Sequence, residues 1–126
     1  MKVLFLGTGG YHPNEERHTA SIMLPEAGLV FDAGTSLFRL NSRLETPDLQ
    51  LFLTHAHLDH ICGLTYLLAP LLQKTLTRCR VYGLPEVLEA VETRLLSSAI
   101  FPIRPPFELV PITERTPVPG GVIRWC

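Results

Sequence analysis

The sequence has little that would stabilise or locate a chain by special means. Only three cysteines, Cys62, Cys79 and Cys126, stand in 126 residues. An odd number at irregular spacing excludes a disulfide framework, and reduced thiols in a cytoplasmic protein are the simpler reading. No apolar run reaches the roughly 20 residues that a membrane span needs. The longest, Leu64–Leu72, is interrupted by Thr65 and Pro70. The start, Met1-Lys2-Val3-Leu4-Phe5-Leu6, passes into glycine before it builds the apolar stretch of a signal peptide, so it reads as a strand. Neither sign of charge dominates, since 11 basic against 12 acidic residues leave a net charge of −1. That is no broad basic footprint for nucleic acid, although a local patch is compatible with it. Repeats and low-complexity tracts are absent.

What is present describes one globular domain of α/β type, with 46% hydrophobic and 18% charged residues. Val3–Leu6 reads as a buried strand. Ala20–Leu24 and Leu29–Phe31 flank the turn signal Pro25-Glu26-Ala27-Gly28 and read as a hairpin. Thr35 is expected to cap a short helix through Phe38 and Leu40. Pro47-Asp48 breaks the pattern, and strand Leu49–Leu53 then feeds straight into His55. Ile61, Leu64, Leu67, Leu68, Leu71 and Leu72 recur at helical spacing and predict an apolar helix face. Val81-Tyr82 is a short strand, and Pro85 opens a second helix over Glu86–Ser98. Leu109–Ile112 and Val122–Trp125 read as further strands. The region Pro102–Pro119 holds six of the 11 prolines, which suggests an extended connector or edge strands. The order predicts a mixed sheet covered by helices.

The chemistry lies in His55-Ala56-His57-Leu58-Asp59-His60. Four candidate metal ligands within six residues are too dense for incidental surface histidines. His55 and His57, two apart in an extended stretch, point the same way. Asp59 and His60 follow as the chain turns into a helix, so they can face a second ion. Three imidazoles and a carboxylate suit zinc, with manganese or iron as alternatives. Two divalent ions about 3.5–4 Å apart would share a water and bring its pKa toward 7. The attacking group would then be a metal-activated hydroxide, with Asp59 as the catalytic residue that orients the water and holds its proton.

Thr54-His55-Ala56-His57-Leu58-Asp59-His60, preceded by a strand and followed by Gly63-Leu64, resembles the metal-binding signature of the metallo-β-lactamase superfamily. Phe31-Asp32-Ala33-Gly34 resembles its upstream Asp-x-Gly element. Phe5-Leu6-Gly7-Thr8-Gly9-Gly10 resembles the opening of the ribonuclease Z-like and cyclic-phosphodiesterase branches. The resemblance implies that His55 and His57 bind a first metal, that Asp59 and His60 bind a second, and that Asp32 hydrogen-bonds the ligand loop. It also implies a further histidine, a bridging aspartate and a last histidine. Past His60 there is no histidine, and Asp59 is the last aspartate. Residues 1–126 are therefore expected to be a domain incomplete at its C-terminus, the N-terminal αβ half of a four-layer αβ/βα sandwich. Such a half would expose the apolar inner face of its sheet.

Lesser features carry lesser expectations. Gly7-Thr8-Gly9-Gly10 could cradle phosphate, but His12-Pro13 opposes a following helix, so a strand-end turn is favoured. His12 and His18 lie in the loop after the first strand. His18 is the better candidate for a substrate contact, against a default of exposed loop histidines. Cys62 reads as a structural thiol.

The implied activity is metal-dependent hydrolysis of a phosphodiester, by a nuclease or cyclic-phosphodiesterase-like enzyme. A thioester, lactone or lactam hydrolase is the alternative, because specificity lies in loops. A catalytically incomplete half-domain with an assembly role is a third reading. Diiron redox relatives typically place a glutamate where His57 stands. The partners expected are a small-molecule or nucleotide phosphodiester, with RNA admissible, no membrane, and a homodimer as one admissible assembly.

Overall fold

Burial along one strand sets the layers of the molecule, which is described for residues 1–126 by a computed structural model. Strand β4 spans Asp48–Phe52 and runs on into Leu53. Leu49, Leu51 and Leu53 point to one side, Gln50 and Phe52 to the other, and none is more than 5% exposed. A strand buried on both faces must have a layer on each side of its sheet.

The sheet has six strands in the order β1 (Leu4–Gly7), β2 (Ser21–Leu24), β3 (Leu29–Phe31), β4, β5 (Arg78–Gly83) and β6 (Glu108–Pro111). β1, β2 and β3 pair antiparallel, whereas β3, β4, β5 and β6 pair parallel. Each parallel step needs a crossover. The first is a 3₁₀ helix, Thr35–Ser42. The second comprises α1 (Leu58–Ile61), a 3₁₀ segment (Cys62–Leu67) and α2 (Leu68–Leu72). The third is α3 (Pro85–Ala90) and a π-helical turn, Val91–Leu95. Leu37, Leu64, Leu67, Val87 and Val91 from these crossovers share one core with Leu49, Leu51 and Val81 of the sheet. All three crossovers therefore cover the same face. No helix is long and apolar enough to cross a membrane.

The opposite face carries an aromatic ladder. Phe31 stacks on Phe52 at 5.7 Å between ring centroids, and Phe52 on Tyr82 at 4.7 Å. Buried Gln50 donates from Nε2 to the Tyr82 hydroxyl at 3.1 Å, so the one amide on this face of β4 has a partner. A hairpin of β7 (Arg115–Val118) and β8 (Gly121–Arg124) lays Val118 and Ile123 against the ladder. The expectation of an open inner face is thus corrected at its centre, where Phe52 and Tyr82 are 4% and 7% exposed. Burial of those rings accounts for the fold-back.

Other differences have local causes. Thr35 does not cap its helix: Gly34 occupies that place with no side-chain bond, and the Thr35 hydroxyl is engaged elsewhere. Leu72, expected on the buried helix face, is exposed. The intervening 3₁₀ segment advances three residues per turn and rotates the apolar stripe away from it. Helix Glu86–Ser98 is α-helical only to Ala90. Val81-Tyr82 grows into the six-residue β5. β7 lies inside the proline-rich stretch and carries Pro117, consistent with a peripheral strand.

Cys79 faces the helical core, and burial pushes its thiol from 9.0 to about 12. The charge of Asp48 adds to that rise, and Arg80 partly offsets it. A pKa raised on folding contributes stability that is fully present below the unfolded value and lost as pH climbs through the folded one. The denaturation midpoint should therefore decline from about pH 9 upward. With a thiol reagent at neutral pH, exposed Cys126 should react at once and Cys79 only on unfolding.

Candidate metal centre

The parallel strands β3 and β4 end side by side, with Phe31 paired to Phe52, and the chain leaves both at the same sheet edge. In α/β folds this C-terminal edge is where sites are built. Asp32 follows β3 with φ of 61°, a left-handed conformation that aspartate tolerates better than most residues. Its N–H donates to Phe52 O at 2.9 Å, and the next N–H, of Ala33, donates to His60 O at 2.8 Å. Gly63 N–H returns a bond to Ala33 O at 2.8 Å. The Asp32-Ala33-Gly34 loop is thereby tied to both ends of the histidine segment. Gly63 is required by this approach, because a Cβ there would lie 2.3 Å from Gly34 O.

The side chains converge on the same point. Asp32 Oδ1 accepts the Thr54 N–H at 2.8 Å. Asp32 Oδ2 lies 2.8 Å from the Thr54 hydroxyl and 3.0 Å from His60 Nδ1. His57 provides the extended residue before α1, so Asp59 and His60 sit in the first turn of that helix. The His55 ring lies 4.6 Å from His57, edge to face, and 4.2 Å from His60. One ligand atom each from Asp32, His55 and His60 fall within 4.8 Å of one another.

This donor set fits a divalent cation. The short contact to Asp32 puts a proton on His60 Nδ1, which leaves the Nε2 lone pair facing outward. Asp59 Oδ2 stands 3.3 Å from that nitrogen. A nitrogen and a carboxylate oxygen at that distance can share a positive charge, whether a proton on Nε2 or a bound cation. Imidazole nitrogen with carboxylate oxygen is the combination that zinc and its neighbours prefer. Both Asp32 oxygens already accept from protein donors, so Asp32 is better placed to hold ligands than to be one.

Of the sequence candidates, His55, His57, Asp59, His60 and Asp32 come together. His18 lies at the margin, its Nδ1 3.2 Å from the Thr35 hydroxyl and its ring edge-on to Phe38. The neighbouring Thr19 hydroxyl donates to Asp59 O at 2.9 Å and accepts from Thr35 N–H at 2.7 Å. His12 contacts only the carbonyl of adjacent Pro13 and the ring of Tyr11 in the bonding pattern. The Gly7–Gly10 segment is extended backbone rather than the expected strand-end turn: Gly7 ends β1 and Gly9 forms an isolated parallel bridge with Thr19, its N–H donating to His18 O at 2.7 Å. Burial raises the Cys62 thiol above its ordinary range, with the charge of Asp59 adding to it and backbone hydrogen bonds opposing it. Cys62 therefore keeps its proton, in line with a structural role. Nothing local marked Thr19 or Thr35 as part of this site. Only Thr54, adjacent to the first histidine, stood in a suggestive position.

The sequence model of the β-lactamase superfamily domain matches residues 28–124, most of the chain. The chain belongs to the metallo-β-lactamase superfamily. Among its relatives is ribonuclease Z of Thermococcus onnurineus (strain NA1), 33% identical over 115 residues, 86% of this chain and 36% of that protein. Ribonuclease Z of Bacillus mycoides (strain KBAB4) is 34% identical over 124 residues, 91% of this chain and 40% of that protein. The chain thus spans well under half the length of these curated relatives. The fold is shared with Zn²⁺-bound PqqB from Methylobacterium extorquens, at a TM-score of 0.65 and 19% identity, over 94% of this chain and 52% of that one. The mixed sheet with its helices on one face is the αβ half of the superfamily's αβ/βα sandwich.

Two substitutions probe the framework without reference to metal. In Asp32→Asn a single amide oxygen must serve the Thr54 N–H, the Thr54 hydroxyl and His60 Nδ1–H. A loss of about 1–3 kcal/mol in urea unfolding is expected. Gly63→Ala forces backbone apart beside Gly34 and should also cost about 1–3 kcal/mol.

Proposed function

We propose that this chain carries a metal-ligand set of a metal-dependent hydrolase that cleaves phosphodiesters, with RNA as its substrate class. The observation behind this reading is the convergence of His55, His57, Asp59 and His60 beside Asp32 at one sheet edge. The ribonuclease Z relatives support the choice of bond and substrate. His55 and His57 hold one ion, and Asp59 and His60 hold a second. Zinc is the first choice, with manganese or iron next. When bound, divalent ions supply charge neutralisation at the phosphoryl oxygens and lower the pKa of water.

The chain's own residues do the remainder. Asp59 orients the attacking water and takes its proton at a carboxylate oxygen. His60, held through Nδ1 by Asp32, keeps its Nε2 aimed at the site. The β4 core beneath Thr54, with Leu53 buried, fixes the origin of the ligand loop. His18, fixed against Thr35 and Phe38 at the rim, contacts the substrate. The family arrangement takes further donors for each ion, and these are outside the set assigned here. The reduced thiols and the RNA substrate suit a cytoplasmic protein.

The test is hydrolysis of bis-p-nitrophenyl phosphate and of an end-labelled structured RNA by the complete protein, with zinc or manganese added. Metal-dependent turnover of both is expected. Asp59→Asn should lower it by about 10²–10⁴-fold, the range for loss of a positioned acid–base group. Turnover of thioesters or lactones with none of phosphodiesters would overturn the proposed bond. Absence of bound metal by elemental analysis would overturn the centre itself.

A further inference from the structure

Building on the reading of His55 and His60 as ligands, we propose that Thr54 is a positioning residue that fixes the tautomer of His55. It does so by relaying the Asp32 carboxylate to a histidine with which that carboxylate makes no hydrogen bond.

The argument is an account of hydrogens. A threonine hydroxyl has one proton to donate and lone pairs with which to accept. Thr54 Oγ1 lies 2.8 Å from Asp32 Oδ2, 3.0 Å from Asp32 Oδ1 and 2.8 Å from His55 Nδ1. If its proton pointed to His55, the hydroxyl and carboxylate oxygens would face each other at 2.8 Å with no hydrogen between them. That contact between acceptors is repulsive in a partly buried place, so the proton lies toward Asp32. The contact to His55 is equally short and needs its own hydrogen, which only Nδ1 can supply. His55 is therefore protonated at Nδ1 and presents a lone pair at Nε2. The same carboxylate receives Nδ1–H of His60 directly at 3.0 Å.

One carboxylate thus sets two imidazoles to the same tautomer, one by contact and one through a hydroxyl. Orientation and tautomer of ligating histidines are commonly set by such partners. Thr54 is placed for it by the backbone, since its own N–H is anchored on Asp32 Oδ1. Serine would retain the relay. Valine, nearly isosteric, would keep the shape and abolish it.

Two measurements test the proposal. In the metal-free wild-type protein with ¹⁵N-labelled histidine, at a pH where imidazoles are neutral, long-range ¹H–¹⁵N spectra should show His55 protonated at Nδ1. Protonation at Nε2 would overturn the relay, and this readout requires no variant to fold. Zinc affinity by competition with a chromophoric chelator should fall about 10–100-fold in Thr54→Val and stay within about threefold in Thr54→Ser. Wild-type affinity in Thr54→Val, or equal loss in Thr54→Ser, would overturn it. A wild-type protein that binds no zinc would overturn the metal reading, while the spectra of the metal-free protein would still uphold or overturn the relay. Zinc bound tightly by wild type and Thr54→Val alike would overturn the relay alone.

Discussion

One carboxylate holds the histidine segment as a closed loop. Asp32 takes hydrogen bonds from Thr54 before the first histidine and from His60 at the last. Between those anchors lie His55, His57 and Asp59, so every candidate ligand is on a loop pinned at both ends. Hydrogen bonds to a charged group contribute about 1.5–3 kcal/mol each, against roughly 1 for neutral pairs. The strained φ of Asp32 is tolerable because backbone bonds from Asp32, Ala33 and Gly63 determine the same position independently. If the carboxylate were lost, the loop would keep its sequence but not its geometry.

The sheet makes this pin effective. β4 is buried on both sides, by leucines of the crossovers and by the aromatic ladder under the β7–β8 hairpin. Its end cannot shift without disturbing close-packed groups on two faces. β3 is held in register beside it, so Asp32 and Thr54 are presented from two rigid strands rather than from mobile loops. Thr19 adds a tie from the β1–β2 connection to the Asp59 carbonyl. Ligands prearranged in this way lose little freedom when a cation binds.

Much of this was legible in the residues. The histidine segment follows a strand, as the apolar run Leu49–Leu53 implied. Asp32, which the resemblance implied as a partner of the histidine segment, accepts hydrogen bonds from Thr54 and His60. The helices were less legible. Helical spacing from Ile61 to Leu72 does not reveal that the middle turns are 3₁₀, because that depends on how closely Gly63 approaches Ala33 and Gly34. Thr35 looked like a cap, yet its hydroxyl is drawn to Thr19 and His18, which are far away in sequence. Of the hairpin over Phe52 and Tyr82, β8 was legible as the strand Val122–Trp125, whereas β7 lies in a proline-rich stretch, where local preference is weak and burial of aromatic rings decides.

By itself the sequence determined the donor types, their spacing and the strand that delivers them, because these are properties of neighbouring residues. Period-two alternation and a six-residue cluster need no tertiary information. Only the tertiary structure decided which donors meet. Asp32 and Thr54 are 22 positions apart, and Asp32 and His60 28. Such contacts exist only once β3 and β4 pair in register and the crossover brings His60 back over the sheet edge. The contacts of Thr54 and Asp32 therefore come from the fold, while the candidate donors come from the chain.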